Sequence, residues 1–148
     1  MWKLAVMLLT VVGCRGYETT GEEQQTLRKL SEISAFAFNE FGPETGVALD
    51  KFRRINLLIG ALEAKNYPFR IKEDMTKDAW GQEFVFGRSK DGPTIVSKAS
   101  RAGGEPEEDN DIFAVFIMHR GKVISVEIRY PSKKIQRTYD GSQWKPTR

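Results

Sequence analysis

The sequence contains only one cysteine and one histidine among its 148 residues. A single cysteine cannot form a disulfide within the chain, so the burial of apolar side chains must stabilise the fold. No histidines and cysteines are spaced as ligands of a zinc ion. His119 lies beside arginine and glycine in a predicted turn, whereas a general base needs an orienting partner and a pocket. The sequence thus gives no support to a disulfide scaffold, a zinc protein or histidine-based catalysis.

Nucleotide-binding and hydrolase motifs are missing as well. There is no Gly-rich dinucleotide fingerprint and no phosphate-binding loop with its lysine, and no serine lies in a Gly-x-Ser-x-Gly elbow. The 23 basic residues barely outnumber the 20 acidic ones, and the net charge of +3 is too small to indicate a nucleic-acid-binding surface. We therefore expect a protein that is not an enzyme and does not bind nucleic acid.

The apolar stretch at the N-terminus, Leu4 to Val12, is far shorter than the roughly 20 residues of a transmembrane helix. It follows a lysine and leads into Gly13, which is the pattern of a secretory signal peptide. The four residues that end in Cys14 (VVGC) resemble the lipobox of bacterial lipoproteins. This resemblance implies cleavage before Cys14, attachment of a diacylglyceryl group to its thiol, and acylation of the new amino group with a fatty acid such as palmitate.

On this interpretation residues 1–13 are a lipoprotein signal peptide, residues 14–21 are a tether, and residues 22–148 form one domain. The membrane is then a partner through Cys14, and the protein lies in the bacterial cell envelope. Arg15 stands where an aspartate would favour the inner membrane, so the outer membrane is expected where two membranes exist. A secreted protein with a free thiol and a cytosolic protein are the alternatives, and the first would leave an odd cysteine in an oxidising compartment.

The first half of the domain has helical periodicity. Apolar residues recur at spacings of three and four over residues 27–41, which predicts an amphipathic helix. Gly42 and Pro43 end this helix, because proline lacks an N–H group and restricts the residue before it. A second helix is expected from Pro43 to about Lys65.

The second half has the pattern of β-strands. Helices followed by strands predict an α+β fold, with N-terminal amphipathic helices packed on a small antiparallel sheet. The predicted strands are rich in Phe, Val and Ile and are separated by turn residues. They cover residues 83–88, 94–100, 112–118, 122–130 and 135–139.

One part of the sequence carries a more specific pattern. Asp78, Trp80 and Gly81 form a D-x-W-G motif, Ser97 lies in the second predicted strand, and a loop rich in glycine and acidic residues ends at Asp111. This ordered combination resembles the C-terminal domain of the major (G-type) pseudopilin of type II secretion systems. The resemblance implies a pseudopilin-like fold in which the motif is structural. We expect Trp80 to be buried against the helices, since its large ring can pin the loop there.

The resemblance also implies a calcium site in the acidic loop. Ca²⁺ takes six to eight oxygen ligands, and the carboxylates that correspond to the family's ligands are those of Asp109 and Asp111. Arg101 stands where the family has an acid, and its guanidinium could pair with one of these carboxylates in place of the ion. Bound calcium and an internal ion pair are both open at this point.

The expected function follows from these two resemblances. We expect a lipid-anchored envelope protein with a non-enzymatic structural or protein-interaction role, linked to type II secretion and with an envelope protein as its partner. The alternative is a periplasmic or surface binding module whose basic C-terminal hairpin and tail engage an anionic ligand. That alternative predicts that four basic side chains share one face of the domain. They are Lys133, Lys134, Arg137 and Lys145.

Overall fold

The computed structural model describes residues 19–70, 73–98 and 111–147, and in these residues three helices precede six strands. This is an α+β fold, as predicted. The helices are α1 (Gly21–Phe41), α2 (Thr45–Phe52) and α3 (Ile55–Ala64), and the 3₁₀ turn Gly42–Glu44 lies between the first two. The strands are β1 (Val85–Ser89), β2 (Gly92–Ser97), β3 (Ile112–His119), β4 (Lys122–Tyr130), β5 (Ile135–Tyr139) and β6 (Trp144–Pro146).

The first helix ends where the sequence predicts and begins at Gly21, before the first residue of the predicted apolar stripe. At its start, the N–H group of Glu23 donates to Thr20 Oγ1 at 3.1 Å, and the N–H group of Thr20 donates to Glu23 Oε1 at 2.7 Å. This reciprocal pair satisfies two N–H groups that have no partner within the helix. The helix ends before Gly42, whose φ of 56° only glycine adopts easily.

The expectation of one continuous second helix is wrong. Helix α2 ends at Arg53, which has a left-handed φ of 66°, and α3 begins two residues later. A left-handed residue is a common end for a helix, but glycine usually occupies it. Because an arginine stands here, no residue pattern indicated the break. Both short helices still bury apolar side chains, among them Leu49 and Leu58.

The six strands form one antiparallel sheet in which each strand pairs with the next along the chain. The five predicted strands are all present, the first three with shifted ends and the last two with the predicted bounds. Strand β6 was not predicted, because it is three residues long and contains Pro146. A proline is tolerated there because β6 is an edge strand and need not donate to a further neighbour.

The core lies between the helices and one face of the sheet. Ile95, Ala114 and Ile128 occupy paired positions on neighbouring strands and belong to one buried cluster with Leu30 and Leu58. Helix α1 packs on β3 and β4. Among the described helices, none is both long and apolar enough to cross a membrane.

Candidate functional site

The D-x-W-G motif folds into a tight turn around a buried carboxylate. Asp78 Oδ1 accepts the backbone N–H groups of Trp80 and Gln82, each at 3.0 Å. The N–H group of Gly81 donates to the carbonyl of Asp78 at 3.1 Å, and Gly81 has a φ of 87° that requires glycine. We call residues 78–82 the Asp78 turn.

The structure brings the Asp78 turn and Ser97 together, which sequence order alone could not show. The Ser97 hydroxyl donates to Asp78 Oδ2 at 2.7 Å. Asp78 and Ser97 are only 3% and 1% exposed, so this hydrogen bond is shielded from water. It fixes the end of β2 to the turn that precedes β1, since both partners would be costly to leave unpaired in the core.

The serine–aspartate pair is far from the histidine. Ser97 is paired with Ile112 at the start of β3, whereas His119 is exposed at the end of the same strand. At about 3.4 Å per residue, a strand of this length separates its ends by more than 20 Å. The hydroxyl of Ser97 therefore donates its hydrogen bond to Asp78, and His119 is too far away to accept it. The hydrogen bond connects the end of β2 to the Asp78 turn.

A buried lysine on α1 holds the segment that leads into the Asp78 turn. Lys29 Nζ donates to the carbonyl oxygens of Asp74 at 2.9 Å and Lys77 at 2.8 Å, and Glu73 Oε1 lies 3.9 Å away. The side chain of Lys29 is only 4% exposed. We call this arrangement the Lys29 clasp. Sequence reasoning missed it, because a lysine in a helix is usually on the solvated face.

A second side chain of α1 supports the same turn. The N–H group of Ala79 donates to Thr26 Oγ1 at 3.1 Å, and Thr26 is fully buried. Thr26 and Lys29 lie three residues apart, so their side chains are neighbours on one face of the helix. Helix α1 therefore binds the motif segment through polar side chains as well as through its apolar stripe.

Trp80 meets its expectation in part. The residue is partly buried and packs against the core cluster, which includes Ile55 and Ile59 of α3. The turn itself is held by the hydrogen bonds of Asp78 and by the backbone conformation of Gly81.

A second buried acid ties the start of the domain to the sheet. Glu23, in the first turn of α1, accepts a hydrogen bond from the hydroxyl of Tyr130 at the end of β4. Burial and the nearby Glu23 raise the pKa of Tyr130 to about 12. A raised pKa in the folded state means that this contribution to stability is complete below pH 10 and is lost as the pH rises towards 12. No local sequence pattern indicated this pair, whose members are 107 residues apart.

The face of the sheet opposite the core carries a network of ion pairs. Arg129 on β4 contacts Asp91 Oδ2 at 2.9 Å and Glu127 Oε1 at 2.7 Å. Asp91 lies in the turn between β1 and β2, so this pair passes over β3, where Val115 is fully buried. Burial alone would lower the pKa of Arg129, but the hydrogen bonds with Glu127 and Asp91 raise it overall.

The basic C-terminal residues do not share one face. Arg137 pairs with Ile128, a core residue, whereas Lys145 pairs with Thr138 on the opposite face of the sheet. Lys145 also forms an ion pair with Asp140 at 3.2 Å. The prediction that the four basic side chains lie on one surface is therefore wrong, because neighbouring positions along a strand alternate between its faces.

Most of the predicted calcium loop, with Asp109 and Arg101, lies outside the described residues, and so does Cys14. Asp111 is described and is only 2% exposed. Within the described ranges, no three or more His, Cys, Asp or Glu side chains are grouped to hold a metal ion. Bound calcium and an internal ion pair with Arg101 therefore both stay untested predictions.

Calorimetric titration of the purified protein with Ca²⁺ decides between these two predictions. We expect no binding in the micromolar range, because the guanidinium of Arg101 stands where the related loop has an acid and can neutralise a carboxylate itself. The variant with both Asp109→Ala and Asp111→Ala is the matched control and should give the same heats. Micromolar binding that disappears in this variant would show that calcium is a cofactor.

The chain matches no protein-family model, no curated protein and no solved structure. The class that the structure establishes is accordingly the α+β class, with a six-stranded antiparallel sheet.

Proposed function

We propose that the protein is a lipid-anchored component of the bacterial cell envelope, with a non-enzymatic structural or protein-interaction role. The observation that carries the proposal is the sequence VVGC ending at Cys14 after an apolar stretch and a lysine. Two or more acyl chains on this residue would anchor the protein stably, since each buried CH₂ contributes about 0.8 kcal/mol. In bacteria with two membranes, the outer membrane is the proposed location.

The start of the domain is compatible with a short tether. Helix α1 has its own N-cap at Thr20, only a few residues after Cys14. At most about 3.6 Å per residue, the intervening chain spans no more than roughly 20 Å. An anchored Cys14 would thus keep the domain close to the bilayer, where it can meet other envelope proteins.

The proposed role of the domain is to present a surface to a protein partner, as a pseudopilin-like unit linked to type II secretion. Three observations support it. Asp78, Gly81 and Ser97, which carry the resemblance to the major pseudopilin, are in direct contact. The buried polar groups of the site, including Lys29, are engaged in holding the fold together. The sheet is antiparallel and follows the helices.

A binding module for an anionic ligand is the less favoured function. It would need a surface on which the C-terminal cations converge, and the opposite orientation of Arg137 and Lys145 counts against such a surface.

Cys14→Ser tests the proposed anchor. The variant has no thiol to form the thioether that joins the diacylglyceryl group to Cys14, so we expect it to leave the detergent phase in phase partitioning or to stay uncleaved. Thr10→Ser, a change of similar size in the same segment, should partition as the wild type does. Equal detergent partitioning of wild type and Cys14→Ser, with an unmodified cysteine in the wild type, would refute the proposal.

A further inference from the structure

The two edges of the sheet differ in how well they are protected. Strand β6 has only three residues and contains Lys145 and Pro146, which are common means of blocking an edge strand. Strand β1 has five residues, with neither lysine nor proline, and no other strand of the described chain pairs with its outer side. The residues just before β1 are covered, because Lys77 forms a bridge with Glu83 and the N–H group of Phe84 donates to the carbonyl of Thr76 at 3.0 Å. Beyond Phe84, the outer side presents backbone groups with no partner strand among the described residues, because alternate residues of an antiparallel strand direct N–H and C=O away from a single neighbour.

The side chains of β1 also leave this edge open. Val85 is 38% exposed, which is high for a large apolar residue, and Gly87 at the centre of the strand is exposed. The side chain of Arg88 is 63% exposed and lies 3.0 Å from Asp50 of α2, which holds the guanidinium on the core side of the strand. Phe86 lies on that same side, two residues before Arg88.

We propose that β1 pairs with β1 of a second copy of this chain, antiparallel and centred on Gly87, so that two six-stranded sheets join across a two-fold axis. In this register Phe86 opposes Arg88 of the second copy on one face, and Val85 opposes Ser89 of the second copy on the other. No like charges oppose each other within the strand. Gly87 opposes itself on the axis, where the absence of a side chain avoids a collision.

Self-complementarity is what indicates a second copy as the occupant. A two-fold contact joins the same patch of both copies, so this patch must be complementary to its own counterpart. Strand β1 meets this requirement, because it has an aromatic ring and a guanidinium at positions that an antiparallel pair brings opposite each other. A cation placed over an aromatic ring is stabilised by about 0.5–1 kcal/mol at an exposed site. Pairing would also cover the exposed side chain of Val85 and satisfy the unpaired backbone groups of both strands.

The dimer should be weak in dilute solution. A contact made mainly by five residues of each strand buries less than the roughly 1,600 Å² of a standard interface. Anchoring of both chains to one membrane would raise their effective concentration and favour the dimer. Only this last point rests on the proposed lipid anchor, and the pairing itself follows from the fold.

Cysteine cross-linking of the full chain tests the register. Residues directly opposed in an antiparallel pair have Cα atoms about 4.5–5.5 Å apart, within the range of a disulfide. Within one chain, positions 85 and 89 are roughly 13 Å apart and cannot be bridged. We expect an equimolar mixture of Val85→Cys and Ser89→Cys chains, oxidised in detergent solution, to give a reducible heterodimer at least ten times more abundant than the dimer from either variant alone.

The controls separate this contact from chance encounters and from the anchor. Wild type reports any cross-link through Cys14, and the same mixture in a Cys14→Ser background should give the same heterodimer. Each single variant reports collisions within a micelle, since its own cysteines would lie roughly 13 Å apart in the proposed pair. A mixture that cross-links no better than the single variants would overturn the proposal.

Discussion

Asp78→Ala is expected to lower the free energy of unfolding by about 2–4 kcal/mol, since each buried polar group left unpaired costs about 1–3 kcal/mol. The substitution removes the acceptor for the buried hydroxyl of Ser97 and for the N–H groups of Trp80 and Gln82. The two N–H groups can reach water in part, because Gln82 is exposed and Trp80 is half-exposed, which keeps the expected loss below the sum of three full penalties. Urea denaturation with linear extrapolation measures the effect.

Two matched variants separate the hydrogen bonds of Asp78 from its charge and from general effects of losing an aspartate. Asp78→Asn keeps an acceptor oxygen for the two N–H groups, so it should lose less than half as much stability. Asp50→Ala removes an exposed carboxylate that pairs with Arg88 and should cost less than about 0.5 kcal/mol. A urea midpoint for Asp78→Ala equal to that of Asp50→Ala would show that the Asp78 turn does not stabilise the fold.

Lys29→Met is expected to have an effect of similar size, about 2–4 kcal/mol, because it removes two hydrogen bonds that a charged and buried ammonium group donates to the carbonyl oxygens of Asp74 and Lys77. Methionine has a similar length and is apolar, so the space stays filled and the loss reports the hydrogen bonds. Segment 73–77 should also exchange its amide hydrogens faster, since α1 no longer holds it.

Lys65→Met is the matched control for the clasp. Lys65, at the end of α3, also has one acidic neighbour, Glu40, at 3.9 Å, but its side chain is 65% exposed. Its loss should change stability by less than about 0.5 kcal/mol and leave exchange in segment 73–77 unchanged. If Lys29→Met behaved like Lys65→Met in both measurements, the Lys29 clasp would have no energetic role.

Local patterns were sufficient to predict most elements of the fold. The apolar spacing over residues 27–41 gave α1, and alternation with turn residues gave five strands of an antiparallel sheet. The break at Arg53 could not be predicted, because the residue with the left-handed backbone is an arginine and not the glycine that usually marks such a helix end. Strand β6 is too short to show any alternation.

The site was predicted in its parts and not in its contacts. The D-x-W-G motif indicated a structural turn, but the partner of Asp78 is Ser97, which lies in another element of the sheet. Lys29 could have been suspected from its place on the same helical face as Thr26 and Ile33, both of which are buried. Its acceptors are backbone carbonyls more than forty residues away, which no local pattern reveals.

The intact mass of the protein extracted from the membranes of its own cells tests the proposed anchor most directly. We predict a chain that begins at Cys14 and carries the added mass of a diacylglyceryl group and an amide-linked fatty acid. Alkaline hydrolysis should then remove the ester-linked chains and leave the amide-linked one. A chain that still begins at Met1, or one that begins at Cys14 without any lipid, would contradict the proposal that this domain is lipid-anchored.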